Sequence, residues 1–201
     1  NTPVVLTGSA DGTVTYGNDS VTVDASHTEE GYLMVSYSGS NSKVKLQITG
    51  SDEITYTYNL HDGYETFPLT SGSGSYTVGV FENIEGTSYS TLFTQAIDVT
   101  IQDEFGPYLY ANQYVNFSAD SKVISKAMEL SASANDDLEV IENVYNYIIT
   151  NFTYDYDKAA SVQSGYLPNV DEVLASQTGI CFDYAAVMAC SGVSGFPPAL
   201  K

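Results

Sequence analysis

The chain has 201 residues, with 25 acidic side chains against six lysines, no arginine and a net charge of −19. That length suits two packed cores, since one core serves about 100 to 150 residues. Mean hydropathy is −0.10, and no run approaches the roughly 18 apolar residues of a membrane-spanning helix, so no membrane span is expected. A nucleic-acid partner is excluded by the missing basic footprint.

Residues 1 to about 104 alternate apolar and polar positions at period two. The clearest strands are Val21–Val23, Tyr32–Tyr37, Lys43–Ile48, Tyr76–Phe81 and Leu92–Ile101. Asp11-Gly12, Asp62-Gly63 and the Ser71–Gly74 run mark turns. Seven or eight short strands over about 100 residues predict an antiparallel β-sandwich of immunoglobulin-like character, residues 1–104. Seventeen tyrosines without tryptophan, together with abundant Ser, Thr and Gly, suit extracellular β structure. No export signal is visible within the chain.

The pattern changes after Gly106-Pro107, where residues 105–117 read as a tyrosine-rich linker. Ser118-Ala119-Asp120 can cap a helix running to about Ala132, with Val123, Ile124, Ala127 and Leu130 at helical spacing. Asn135 and Asp136 start a second helix, with Leu138, Ile141, Val144, Tyr145 and Ile148 on one face. Tyr154-Asp155-Tyr156 ends that helix and a loop follows. A short helix from Val170 to Ala175 and a final one beginning near Cys181 complete the chain. The class is therefore α+β.

Cys181 and Cys190 lie nine positions apart on that last helix. They face the same side but sit about 13 Å apart along the axis, beyond disulfide reach. With no CxxC, no Cys/His cluster and no EF-hand spacing, neither a metal nor another cofactor is expected. Gly179 releases the chain from a loop and Cys181 falls in the first turn of an alanine-rich helix. Unpaired N–H groups there favour an anion and stabilise a thiolate, and the same groups can hold an oxyanion. Asp183 opposes this unless turned away or paired. Spacing alone leaves two readings open, a buried structural cysteine and a nucleophile.

Residues 116–189 resemble the transglutaminase-like superfamily of cysteine enzymes, which is related in architecture to papain-like proteases. The resemblance rests on Val144–Ile148, Thr153–Ala159, Gly165–Ala175 and above all Gly179-Ile180-Cys181-Phe182-Asp183-Tyr184-Ala185. It implies that residues 118–201 form the helical N-terminal half of a transglutaminase-like core, with Cys181 as nucleophile. The implied reaction is attack on an amide or ester carbonyl, giving a thioester that an amine or water resolves. The implied partners are protein or peptide substrates, including cell-wall peptides, with a bacterial cell-surface or extracellular location.

The family pattern also calls for a His and an Asp several tens of residues after the cysteine, whereas the chain ends 20 residues after Cys181. His27 and His61 lie in the β-rich region and match no part of the motif. Glycine and proline in Cys190–Lys201 should stop the helix after Ala189. Plausible codons from Ala189 onward, read one nucleotide out of phase, encode Met-Leu-Arg-Arg-Phe-Gly-Ile-Pro-Thr-Arg-Leu, the continuation expected of a family member. The expectation is a frameshift near Ala189, with Cys190 an accident of phase. An exposed helical face open to self-association and a form with little activity follow from it.

Weaker signals are Asp155 with Asp157, read as solvated carboxylates, and Gln177, a candidate oxyanion donor upstream of the cysteine. Asn18, Asn116 and Asn151 head glycosylation-type triplets, and exposed tyrosines could stack on sugar rings. Two other functional readings stand beside the thiol enzyme. One is a cell-surface module recognising glycan or protein through the sandwich; the other is an adhesive segment with no chemistry in use.

Overall fold

A computed structural model describes residues 5–195 of the chain. They form an antiparallel β-rich region followed by a helical region, an α+β architecture. They divide into two compact units, residues 8–110, and residues 111–195 together with residues 5–7.

In chain order the first unit holds β1 (Thr15–Gly17), β2 (Val21–Asp24), β3 (Tyr32–Tyr37), β4 (Val44–Thr49) and β5 (Thr55–Asn59). It continues with β6 (Gly63–Pro68), β7 (Gly74–Glu85) and β8 (Ser88–Val99). They pair as two four-stranded sheets, ordered β1-β2-β3-β6 and β5-β4-β7-β8, and every pairing is antiparallel. Period-two alternation explains why each sheet has an apolar face. In β4, Val44, Leu46 and Ile48 are buried while Lys45, Gln47 and Thr49 are partly exposed. Register sets Leu46 against Val80 on one side and Tyr58 on the other. These residues join Val21, Val23, Leu33, Val35, Phe67 and Tyr76 in one cluster drawn from both sheets. Burying each such aliphatic side chain is worth about 1.5–3 kcal/mol. The expected strands are all present, though β7 and β8 form a longer ribbon than the pattern suggested, with register shifts after Val80 and Asn83.

Both histidines sit in this unit. His27 is clasped by two carboxylates, Nε2 lying 2.8 Å from Asp11 Oδ2 and Nδ1 3.0 Å from Glu30 Oε1. Tyr110 donates to the other oxygen of Glu30, and the His27 ring stacks on Tyr32. Burial alone would lower the His27 pKa, but bonds to Glu30 and Asp11 outweigh it and hold the value above the ordinary range. His61 is half exposed and pairs with Glu65 at 3.1 Å.

The second unit is built from α1 (Lys122–Ser131), α2 (Asp137–Asn151), β9 (Thr153–Tyr154) and α3 (Tyr156–Ser161). It ends with α4 (Val170–Ser176), β10 (Thr178–Gly179) and α5 (Cys181–Gly195). Its core joins Phe117, Val123 and Ile124 to Val144, Ile148, Val173, Val187 and Cys190.

Four expectations need correction. α1 starts later than Ser118-Ala119-Asp120 suggested, after Ser121, and its second amide, Val123 N–H, donates to Asp171 Oδ1 at 3.0 Å. A carboxylate from α4 thus supplies the cap that α1 lacks locally. In α2 the buried line is Val140, Val144 and Ile148. Leu138, Ile141 and Tyr145 are exposed, Leu138 by 76%, because the apolar arc is wider than the contact with α1 and α5. The segment after Tyr154 is helical, as α3, since Asp155 caps it by accepting the Lys158 N–H at 2.8 Å. Finally, α5 runs on past Ala189 to Gly195. Cys190 and Ser191 fall on its inner side at 0% and 2% exposure, so packing overrides weak helix propensity there. Pro197 and Pro198 lie outside the described residues.

Candidate functional site

A two-residue parallel bridge sets the entry to α5. β10 pairs with β9 in the register Thr178 with Thr153 and Gly179 with Tyr154. Thr153 N–H donates to Gln177 O at 2.8 Å, and Asp155 N–H to Gly179 O at 2.9 Å. The chain then turns at Ile180, whose carbonyl accepts the first helical bond, from Tyr184 N–H at 3.1 Å. Cys181 occupies the first position of the helix and is exposed. The amides of Cys181, Phe182 and Asp183 precede that first bond, so they form the positive end of α5. The residue that could have been a buried structural cysteine is instead Cys190, where burial pushes the thiol up to about 12.

Asp183 is the third helical residue and is completely buried. Its Oδ2 accepts the Ile180 N–H at 2.9 Å, the reaching-back half of a capping box. Gly179 makes room for this: a Cβ there would lie 2.8 Å from Asp183 Cβ and Oδ2. Lys158 Nζ donates to Asp183 Oδ2 at 2.7 Å and to the Tyr166 hydroxyl at 2.6 Å. Tyr166 in turn donates to Asp183 Oδ1 at 2.6 Å. Three donors converge on one buried carboxylate.

The electrostatics follow from that convergence. Burial alone would raise the Asp183 pKa, but bonds from Lys158, Tyr166 and Ile180 N–H outweigh it and hold the value below the usual carboxylate range. Burial would lower the Lys158 pKa, and its bonds to Asp183 and Tyr166 bring it above the usual range. At neutral pH the cluster is an ion pair with a neutral phenol. The carboxylate beside the cysteine is thus both paired and drawn into its own helix cap.

Aromatic rings flank this helix start. Phe182 meets Tyr114 and Tyr166 edge-on, with centroids 5.8 and 6.3 Å apart. Tyr184 packs against Phe152 and Tyr154, and its buried hydroxyl has no hydrogen-bond partner among the described residues.

The other marked residues have local roles. Gln177 ends α4 in the left-handed region, φ 51°, and its Nε2 donates to Tyr147 OH at 3.4 Å. Asp155 caps α3, while Asp157 is exposed in its first turn. Asn18 uses Oδ1 to accept the Ser20 and Val21 amides in the β1–β2 turn. Among the described residues no group of three His, Cys, Asp or Glu side chains could hold a metal, and no helix is long and apolar enough to cross a membrane. Lys158 and Tyr166 are the site residues that reading the sequence missed.

Residues 120–191 match the family model described as a transglutaminase-like domain. No curated protein and no solved structure matches the chain.

Proposed function

Taking residues 120–191 as a domain of the transglutaminase-like superfamily, we propose that Cys181 is the nucleophile of a thiol acyltransferase or peptidase. The observation that carries this reading is the exposed sulfur at the first turn of α5, beside a carboxylate neutralised by Lys158. In the proposed step the Cys181 thiolate forms a C–S bond to a peptide carbonyl, the C–N bond breaks, and the leaving amine takes up a proton. An incoming amine or water then attacks the thioester and releases the thiol. First-turn amides of α5 are suited to hold the oxyanion in both halves. Residues 111–195 contain no histidine, so this stretch supplies the nucleophile and no imidazole base.

We further infer that the two sheets form a sandwich of immunoglobulin-like kind and that the helices form half of a transglutaminase-like core. Acidity and a Tyr-, Ser- and Thr-rich composition support an extracellular or cell-surface setting, with protein or cell-wall peptide amides as substrates. The exposed α2 stripe of Leu138, Ile141, Tyr145 and Ile149 supports self-association through the helical unit.

The test is iodoacetamide labelling of the native chain at pH 7, read by peptide mass spectrometry. Cys181 should be carboxamidomethylated at least tenfold faster than glutathione under the same conditions. A Cys181 rate equal to or below that of glutathione overturns the nucleophile assignment.

A further inference from the structure

The β-rich unit carries a second candidate site, remote in sequence from Cys181. An open cleft of about 620 Å³ lies where the β6–β7 turn meets the chain leaving β8, lined by residues from 70–73 and 101–108, Ser71 and Gly106 excepted. Two large aromatic side chains stand at it in solvent, Phe105 at 64% and Tyr108 at 58% exposure. Single exposed apolar side chains are ordinary on a protein surface. Here two stand three residues apart at one cleft.

The turn that carries them is fixed. Asp103 Oδ1 accepts the Phe105 N–H at 3.0 Å. Successive bonds run from Gly106 N–H to Asp103 O at 2.9 Å and from Tyr108 N–H to Phe105 O at 2.9 Å. Gly106 and Pro107, between the two aromatics, are buried. A Cβ on Gly106 would come within 2.4 Å of Glu30 O, and one on Gly31 within 2.5 Å of the Pro107 ring, so this backbone is wedged against the β3 entry. The chain before it is tied too: Ile101 N–H donates to Ser73 Oγ at 2.9 Å and Gln102 N–H to Glu29 O at 2.9 Å. The backbone that presents the two aromatic side chains is thus fixed and has little ordering entropy left to lose on binding.

The lining decides the ligand class. Gln102, Asp103 and Glu104 bring an amide and two carboxylates to the same cleft, and no lysine lines it; Gln102 Nε2 also donates to Glu29 Oε2 at 2.7 Å, which leaves its Oε1 and second N–H for a ligand. Aromatic faces match the C–H faces of a sugar ring, and planar carboxylate and amide groups match pairs of ring hydroxyls. Two carboxylates with no cation repel phosphate and uronate groups. A lipid chain in the cleft would desolvate the two carboxylates. The cleft is open, which suits an internal stretch of a chain better than a small enclosed ligand.

We propose that this cleft binds a neutral oligosaccharide whose pyranose rings carry equatorial substituents, stacked on Phe105 and Tyr108 and hydrogen-bonded by Gln102, Asp103 and Glu104. It is independent of the thiol chemistry proposed for Cys181.

The experiment is calorimetric titration of the full chain with cellohexaose, hexa-N-acetylchitohexaose, a polygalacturonate oligomer and hexalysine. Saturable binding of one or both neutral hexasaccharides is expected, with none of the uronate. Phe105→Ala and Tyr108→Ala should each weaken the neutral sugar about five- to tenfold, and the double variant should show no measurable binding. Both side chains are exposed, so thermal midpoints by circular dichroism should match the parent and exclude misfolding. No heat with either neutral sugar at 5 mM, undiminished binding by the double variant, or binding of the uronate or hexalysine instead overturns the proposal.

Discussion

Replacing Lys158 with methionine keeps the apolar stem and removes the ammonium that neutralises Asp183. Asp183 has no exposed surface, whereas the Lys158 side chain is 28% exposed. Removing one partner of a fully buried pair costs about 3–5 kcal/mol, because the remaining charge is left without compensation. Partial solvation of the pair and the two surviving donors, Tyr166 OH and Ile180 N–H, reduce the expected loss to about 2–3 kcal/mol. For a unit of roughly 90 residues that corresponds to a fall in midpoint of about 10–20 °C. Helical circular dichroism at 222 nm isolates this unit, since α1 to α5 all lie within it. A Lys158→Met/Asp183→Asn double variant should recover much of the loss, because no buried charge then lacks a partner. A parental midpoint for Lys158→Met, or strictly additive losses in the double variant, would refute the reasoning.

Two other outcomes follow from the same electrostatics. A native-state titration with Ellman's reagent at pH 8 should count one thiol, Cys181, and a second only after denaturation, because Cys190 is fully buried with its thiol pushed up to about 12; two thiols reacting in the native state would contradict that packing. The His27 clasp raises its folded pKa, so its contribution is complete below the unfolded value of about 6.5 and is lost as pH rises through the folded value. The β-rich unit, followed at 218 nm, should therefore lose stability on the alkaline side of pH 6.5, and His27→Gln should flatten that slope; an unchanged slope in the variant would show that the clasp contributes nothing.

Much of this architecture was legible from local pattern. β4 has alternating Val44, Leu46 and Ile48, and a period-two signal of that kind survives any tertiary arrangement. Cys181 at a helix start was legible because Gly179 and the alanine run bracket it. The failures share a cause, which is that the deciding contact came from elsewhere in the chain. Asp171 caps α1 from 48 residues away, and Lys158 reaches Asp183 across 25. Neither pairing has a sequence period. In α2, apolar residues fill more than half of the surface, so composition could not choose between Leu138 and Val140 for the core. α3 was hidden because six residues are too few for a periodic signal, although Asp155 three places before Lys158 is a capping cue.

The parallel bridge between β9 and β10 has a consequence for how this unit can vary. It ties the two ends of residues 155–177 together at their base, so that stretch is an excursion returning to its starting point. Length and composition of the loop between α3 and α4 can change without displacing the backbone that delivers Cys181. Within the excursion Lys158 and Tyr166 must keep their reach to Asp183, Asp171 its bond to α1 and Val173 its place in the core. New side chains could thus be introduced next to the sulfur while the helix that carries it stays in place, which makes this loop the natural place to alter the surroundings of that sulfur.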